Sequence, residues 1–121
     1  MDCIFCKIIR GDIPSYTIYE DEIVKVFLDV NPSSNGHMLI VPKKHTLDFD
    51  TIDTNTLMHI MEIARQMKKL VEEKLHADGV SLIQNNGISQ EVKHFHLHVR
   101  PCYKETTKLP VEQVSQILKS L

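Results

Sequence analysis

No apolar run in this 121-residue chain approaches the ~18 residues that a membrane span needs. The opening "MDCIFCKIIRGD" also lacks the basic-then-apolar order of a signal peptide. Both absences argue against membrane insertion and secretion, and they predict a cytoplasmic protein. There is no surplus of positive charge either. A formal net charge of −2 gives no broad basic field for gripping a polyanion, which excludes duplex nucleic acid as the main ligand and leaves a small phosphate ester open. The cysteines number three, too few and too odd for a disulfide framework. Repeats, low-complexity tracts and linker-like segments are missing as well, so residues 1–121 read as one domain.

What is present is patterned. "CIFCKIIRGDIP" spaces Ile4, Phe5, Ile8 and Ile9 for about two turns of helix, stopped at Gly11 and Pro14. "YTIYED" and "IVKVFLDV" alternate around the acidic turn Glu20–Glu22 as a hairpin, and "HMLIVP" follows the loop "NPSSNG" as a third strand. From Asp53 the apolar residues Leu57, Ile60, Ala64, Met67, Val71 and Leu75 recur every three or four positions. This predicts one long amphipathic helix, capped by Asp53 or Thr54 and closed at Asp78-Gly79. Met58, Met61 and Met67 belong on or beside its apolar face as packing residues, and His59 and His76 to surface or rim without function. "VSLIQ" and "HFHLHV" give strands four and five, and a short tail helix runs from about Val111 to Leu118.

Three of seven histidines fall at alternate positions in "VKHFHLHVRP", namely His94, His96 and His98. On a strand, residues i, i+2 and i+4 share a face at ~6.5–7 Å per step, so the imidazoles look one way while Phe95, Leu97 and Val99 look into the core. Two chemistries suit such a row. It could offer facial ligands to a catalytic zinc. Alternatively, one imidazole is a nucleophile toward phosphorus, forming a labile phosphoramidate bond, and its neighbours position and stabilise what it attacks. No carboxylate in the sequence is singled out to complete a metal site, and the nucleophile fits the rest of the chain better.

This run resembles the motif of the histidine triad family, in which three histidines alternate with apolar residues. "NGHMLIVPKKH" and "CIFCKIIRGDIPS" resemble two further blocks of the same family, in the same order. The resemblance implies an α+β fold: a five-stranded antiparallel sheet with one long helix and short N- and C-terminal helices, the sheet extended across a homodimer. It also implies hydrolysis or transfer of a nucleotidyl group at the α-phosphorus of a purine nucleoside 5′-phosphoramidate or related anhydride. In that mapping His96 is the nucleophile, His98 contacts the α-phosphate and helps the leaving group, and His94 and His37 support the network. Asp29 falls at the ribose hydroxyls, Phe5, Ile8, Phe27 and Val30 at the base, and Asn85, Ser89 and Gln90 around the phosphates. Glu91 departs from the phosphoramidase branch, which carries serine there. A carboxylate aimed at phosphate would repel it, so Glu91 either faces away or changes the leaving-group preference. Diadenosine polyphosphate hydrolysis is the sibling activity, and a non-catalytic nucleotide-binding regulator is the reading from another class.

Cys3 and Cys6 form a C-x-x-C that by itself suits a redox dithiol, a zinc half-site or chance, although no thioredoxin-like pattern surrounds it. The family resemblance implies a structural zinc held by Cys3, Cys6, His45 and His94, with no catalytic cofactor. Cys102 is left over as a packing residue.

Overall fold

The structure is a computed structural model that describes residues 3–120. The chain opens with helix α1 (Ile4–Arg10). The Cys3 thiol caps it by accepting the Cys6 N–H at 3.2 Å, and Gly11 ends it in the left-handed region at φ +87°. Strands β1 (Thr17–Glu20) and β2 (Val24–Leu28) follow as the expected hairpin, then β3 (Met38–Pro42). Helix α2 (Thr54–Leu75) takes Asp53 as its N-cap, whose carboxylate accepts the Thr56 N–H at 3.2 Å. β4 (Gly79–Gln84), β5 (Leu97–Cys102) and α3 (Val111–Lys119) complete the chain. The strands form one sheet in the order β1-β2-β3-β5-β4 with every neighbouring pair antiparallel, so the α+β class and the five-stranded sheet hold.

Alternation along the strands sends side chains to two different cores. On one face Val24, Val26, Leu28, Met38, Ile40, Leu97 and Val99 pack under Ile60, Ile63, Ala64, Met67 and Val71 of α2 and Val114 and Leu118 of α3. On the other, Phe5 and Ile8 of α1 pack on Phe27, Leu39 and Val41. His98 pairs with Leu39 and therefore shares the α1 face, beside which the main cleft opens.

Four expectations are corrected. β5 begins only at Leu97, so of the three alternating histidines only His98 lies in a paired strand. Phe95 instead donates its N–H to the Thr46 carbonyl at 2.6 Å, and the in-out alternation continues upstream without a ladder because Phe95 is buried in the α2 core. α2 stops at Leu75, with His76 as a left-handed cap at φ +58°, because β4 already starts at Gly79. Met58 and Met61 are 66% and 44% exposed and only Met67 is buried, which removes two of the three methionines from the core. His59 is no idle rim residue. Its Nε2–H donates to the Asp21 carboxylate at 2.7 Å, which also accepts from Tyr19 at 2.8 Å and ties α2 to the β1–β2 turn. Burial alone would raise the Asp21 carboxyl. The bonds from Val24 N–H, His59, Ile23 N–H and Tyr19 outweigh it and hold that carboxyl well below the usual range.

Candidate active site

A cleft of about 580 Å³ lies where α1, the start of β3, the 85–92 loop and the histidine segment meet. Among its walls are Phe5, Asp29, His37, Asn85, Ser89, His96 and His98, seven of the residues expected there. Five others sit elsewhere, His94 among them. Ile8 and Phe27 are buried behind Phe5 in the α1 core, where they back the wall without forming it. Val30 is 66% exposed and borders a separate hollow with Lys108 and Pro110. Gln90 is buried, its side-chain amide donating to the Leu47 carbonyl at 2.7 Å, so it fastens the loop. Ile4, Asn31, Leu39 and Val92 line the cleft unforeseen, although the in-out alternation of β3 from His37 through Leu39 already put Leu39 on the right face. Glu91 also borders the cleft and is exposed.

The hydrogen bonds assign a state to each imidazole. His96 Nδ1–H donates to the His94 carbonyl at 2.8 Å, which leaves its Nε2 lone pair free. That is the tautomer a nucleophile needs. The Phe5 ring packs edge-on against His96 with centroids 5.0 Å apart and limits its rotation. His37 Nδ1 accepts the Ser33 N–H at 3.1 Å, so its proton sits on Nε2, which donates to His98 Nδ1 at 2.9 Å. His98 must then carry its own proton on Nε2. Gly36 places His37 for this chain. It turns at φ +88°, and a Cβ there would stand 2.6 Å from Leu75 Cδ1, so only glycine fits.

Electrostatics agrees with neutral His98 and His37. Burial lowers the His98 pKa to about 4, helped by the neighbouring His96 and His37 and by Arg100, against a small upward pull from Asp29. Burial lowers His37 too, and Asp29, whose Oδ2 lies 3.8 Å from His37 Nε2, only partly offsets it. The Asp29 Oδ1 accepts the Asn31 N–H at 2.9 Å, and its position at the rim suits an acceptor of hydroxyl protons.

His94 points away from the cleft. Its Nδ1 lies 3.4 Å from Cys3 Sγ, 3.6 Å from Cys6 Sγ and 3.2 Å from His45 Nδ1. Cys3 and Cys6 are 3.2 Å apart, and His45 lies 3.6 Å from the first and 3.2 Å from the second. Zinc bonds of ~2.0–2.3 Å make tetrahedral edges of about 3.3–3.8 Å, so the four donors fit that ion. His94 Nε2–H donates to the Pro42 carbonyl at 2.8 Å, the outer hydrogen bond that metal-binding imidazoles use to fix their orientation. Burial and the adjacent Cys3 thiol push the Cys6 thiol up. Asp29, His37 and His98 also place donor atoms within 4.8 Å of one another, but their closest contact is already the hydrogen bond between the two imidazoles.

A family model described as the HIT domain matches residues 10–105. The chain belongs to the HIT family. Among HIT relatives, an uncharacterized HIT-like protein of Methanocaldococcus jannaschii is 47% identical over 106 residues, covering 84% of this chain and 80% of the relative. An adenosine 5′-monophosphoramidase of Saccharomyces cerevisiae is 39% identical over 111 residues, covering 90% of this chain and 68% of that enzyme. A zinc-bound histidine triad family protein of Mycobacterium smegmatis superposes with a TM-score of 0.90 at 35% identity, over 98% of this chain and 91% of that structure. No helix among the described residues is long and apolar enough to cross a membrane.

Proposed function

We propose that this HIT protein hydrolyses a purine nucleoside 5′-phosphoramidate or a related phosphoric anhydride through a nucleotidyl-histidine intermediate on His96. The observation that carries this reading is the tautomer of His96: Nδ1–H is held by the His94 carbonyl, and Nε2 keeps its lone pair, with no partner among the described residues, on a side chain that lines the cleft. The yeast relative's phosphoramidase activity supports the choice of bond.

In the first step the His96 Nε2 lone pair attacks the α-phosphorus and the bond to the leaving atom breaks. The resulting N-phosphoryl imidazolium keeps its Nδ1–H on the His94 carbonyl, which spreads the positive charge and makes His96 a good leaving group in its turn. His98 offers Nε2–H to the phosphoryl oxygens or the leaving atom, oriented through the Ser33–His37–His98 chain. An amine departs from its protonated form and a phosphate as its anion, so His98 can remain neutral throughout. Water then bonds to phosphorus, the phosphorus–Nε2 bond breaks, and the water's proton passes to solvent. Asp29 takes the ribose hydroxyls and Phe5, with Ile4 and Leu39, walls the base.

Zinc held by Cys3, Cys6, His45 and His94 would be structural. Four protein ligands close the tetrahedron, and the ion would pin α1 to the segment that carries His96. A homodimer built on α2 and β4 belongs to the same reading. β4 is an edge strand, and Leu82 on it and Met58 and Met61 on α2 are apolar side chains left exposed.

The test is turnover of adenosine 5′-phosphoramidate and diadenosine tetraphosphate by wild type and His96→Asn, each with and without a strong chelator. Activity that survives chelation and falls by ~10³ or more in the variant is the expected result. Nucleotide binding without turnover of either compound would favour a regulatory binding module.

A further inference from the structure

The catalytic face of β5 continues beyond His98. Arg100 is the next residue on that face, half-buried, and its guanidinium makes no hydrogen bond or ion pair among the described residues. It opens into a second cleft, of about 390 Å³, bordered by Ser33, Ser34, Asn35, Tyr103 and Lys108 and, among the described residues, by no carboxylate.

The walls of this cleft are fastened. The Asn35 side chain donates to the Thr107 carbonyl at 2.9 Å and accepts the Leu109 N–H at 2.9 Å. The Tyr103 hydroxyl donates to the Asn35 carbonyl at 2.7 Å, and Lys108 Nζ donates to the Pro32 carbonyl at 2.7 Å. Residues 103–109 are thereby laced along residues 31–35, which holds Lys108 beside the cleft. The cleft also adjoins the active site. Ser33 borders it and donates its N–H to His37. The Arg100 charge bears on both His37 and His98, lowering each.

A half-buried guanidinium with its five N–H donors unused favours a carboxylate or phosphate, which it can bind in a bidentate fork. The Lys108 charge and the Thr106 hydroxyl at the cleft's edge suit the same ligand, while the Asn35 amide and the Tyr103 and Ser34 hydroxyls are engaged in holding the walls. We propose that the Arg100 cleft is a subsite for an anionic group carried on the leaving group, a terminal carboxylate or phosphate. This rests on the hydrolase reading and adds to it which leaving groups are preferred. Exposed Glu91 lines the main cleft with Asn85 and Ser89, so a second negative charge is better received on the Arg100 side.

The experiment compares adenosine 5′-phosphoramidates whose leaving amines are β-alanine, β-alaninamide and phosphoethanolamine, with the unsubstituted phosphoramidate alongside. The readout is the kcat/KM ratio of charged to uncharged compound within each variant, so a general loss of activity cancels. Wild type should favour the carboxylate, the phosphate or both over the carboxamide by ~10-fold or more. Arg100→Met should bring that ratio close to one, and Arg100→Lys should keep part of it. The better of the two anions identifies the natural source of the charge. A wild-type ratio near one, or a preference unchanged in Arg100→Met, overturns the subsite while turnover itself upholds the hydrolase. Failure of all four compounds overturns the subsite together with the phosphoramidate form of the hydrolase reading.

Discussion

Acidification tests the neutral histidine chain without any substrate. His98 has a pKa of about 4 in the fold against an ordinary 6.5, so between those values the unfolded chain binds a proton that the folded chain refuses. Stability is therefore intact above pH 6.5 and falls as pH drops toward 4. Going from pH 7.5 to 4.5, this one group works out at about 2.5 kcal/mol, and solvent relaxation around a half-buried ring reduces that to about 1–1.5 kcal/mol. His37 and His94 are lowered in the same direction and add to the loss. The assay is urea unfolding of metal-free protein at the two pH values, with His98→Asn in parallel. Wild type should lose at least 1 kcal/mol more than the variant across this interval. Equal pH sensitivity of the two proteins would refute the assignment of His98 as a buried neutral donor.

Three other outcomes are expected. Gly36→Ala forces a Cβ onto Leu75 at positive φ and should cost about 1–3 kcal/mol in chemical denaturation; an unchanged midpoint would mean that the turn before His37 is not constrained. Chelation, or Cys6→Ser, should lower the thermal midpoint by several degrees, and elemental analysis should find about one zinc per chain in wild type; metal-free protein of unaltered stability would contradict the structural site. Asp21→Asn should destabilise by about 1–3 kcal/mol at pH 7. Because the folded Asp21 carboxyl is depressed, its contribution exists above the ordinary aspartate pKa and is lost as pH falls through the folded value, so the gap between variant and wild type should close in acid.

The sequence carried the strands, the long helix and the C-x-x-C because each is written as local periodicity or spacing. Alternation in "VKVFL" and "HMLIV" and the three-and-four spacing in α2 are consequences of which side faces a core, and the cores formed where those sides met. The departures share one cause: they depend on contacts between segments distant in sequence. Val30 is apolar and next to Asp29, yet the chain has left β2 by then and it points outward. Gln90 looks like a phosphate ligand by position, but its amide is taken by a carbonyl 43 residues away. Met58 and Met61 sit at the edge of the helix stripe, where the ~100° between one residue and the next decides between core and surface. His94 shows the same limit in the opposite direction. Its place in the alternating run suggests a third catalytic imidazole, and only the family resemblance pointed to Cys3, Cys6 and His45, which its side chain joins while its carbonyl holds His96.

The proposed hydrolysis depends on transfer of the nucleotidyl group to His96 Nε2. Rapid acid-free quenching of wild type with adenosine 5′-phosphoramidate, followed by peptide mass spectrometry, measures this directly. An adenylyl group on His96, absent from His96→Asn, is the expected result. An adduct on His94 or His98, or turnover that persists in His96→Asn, would contradict it.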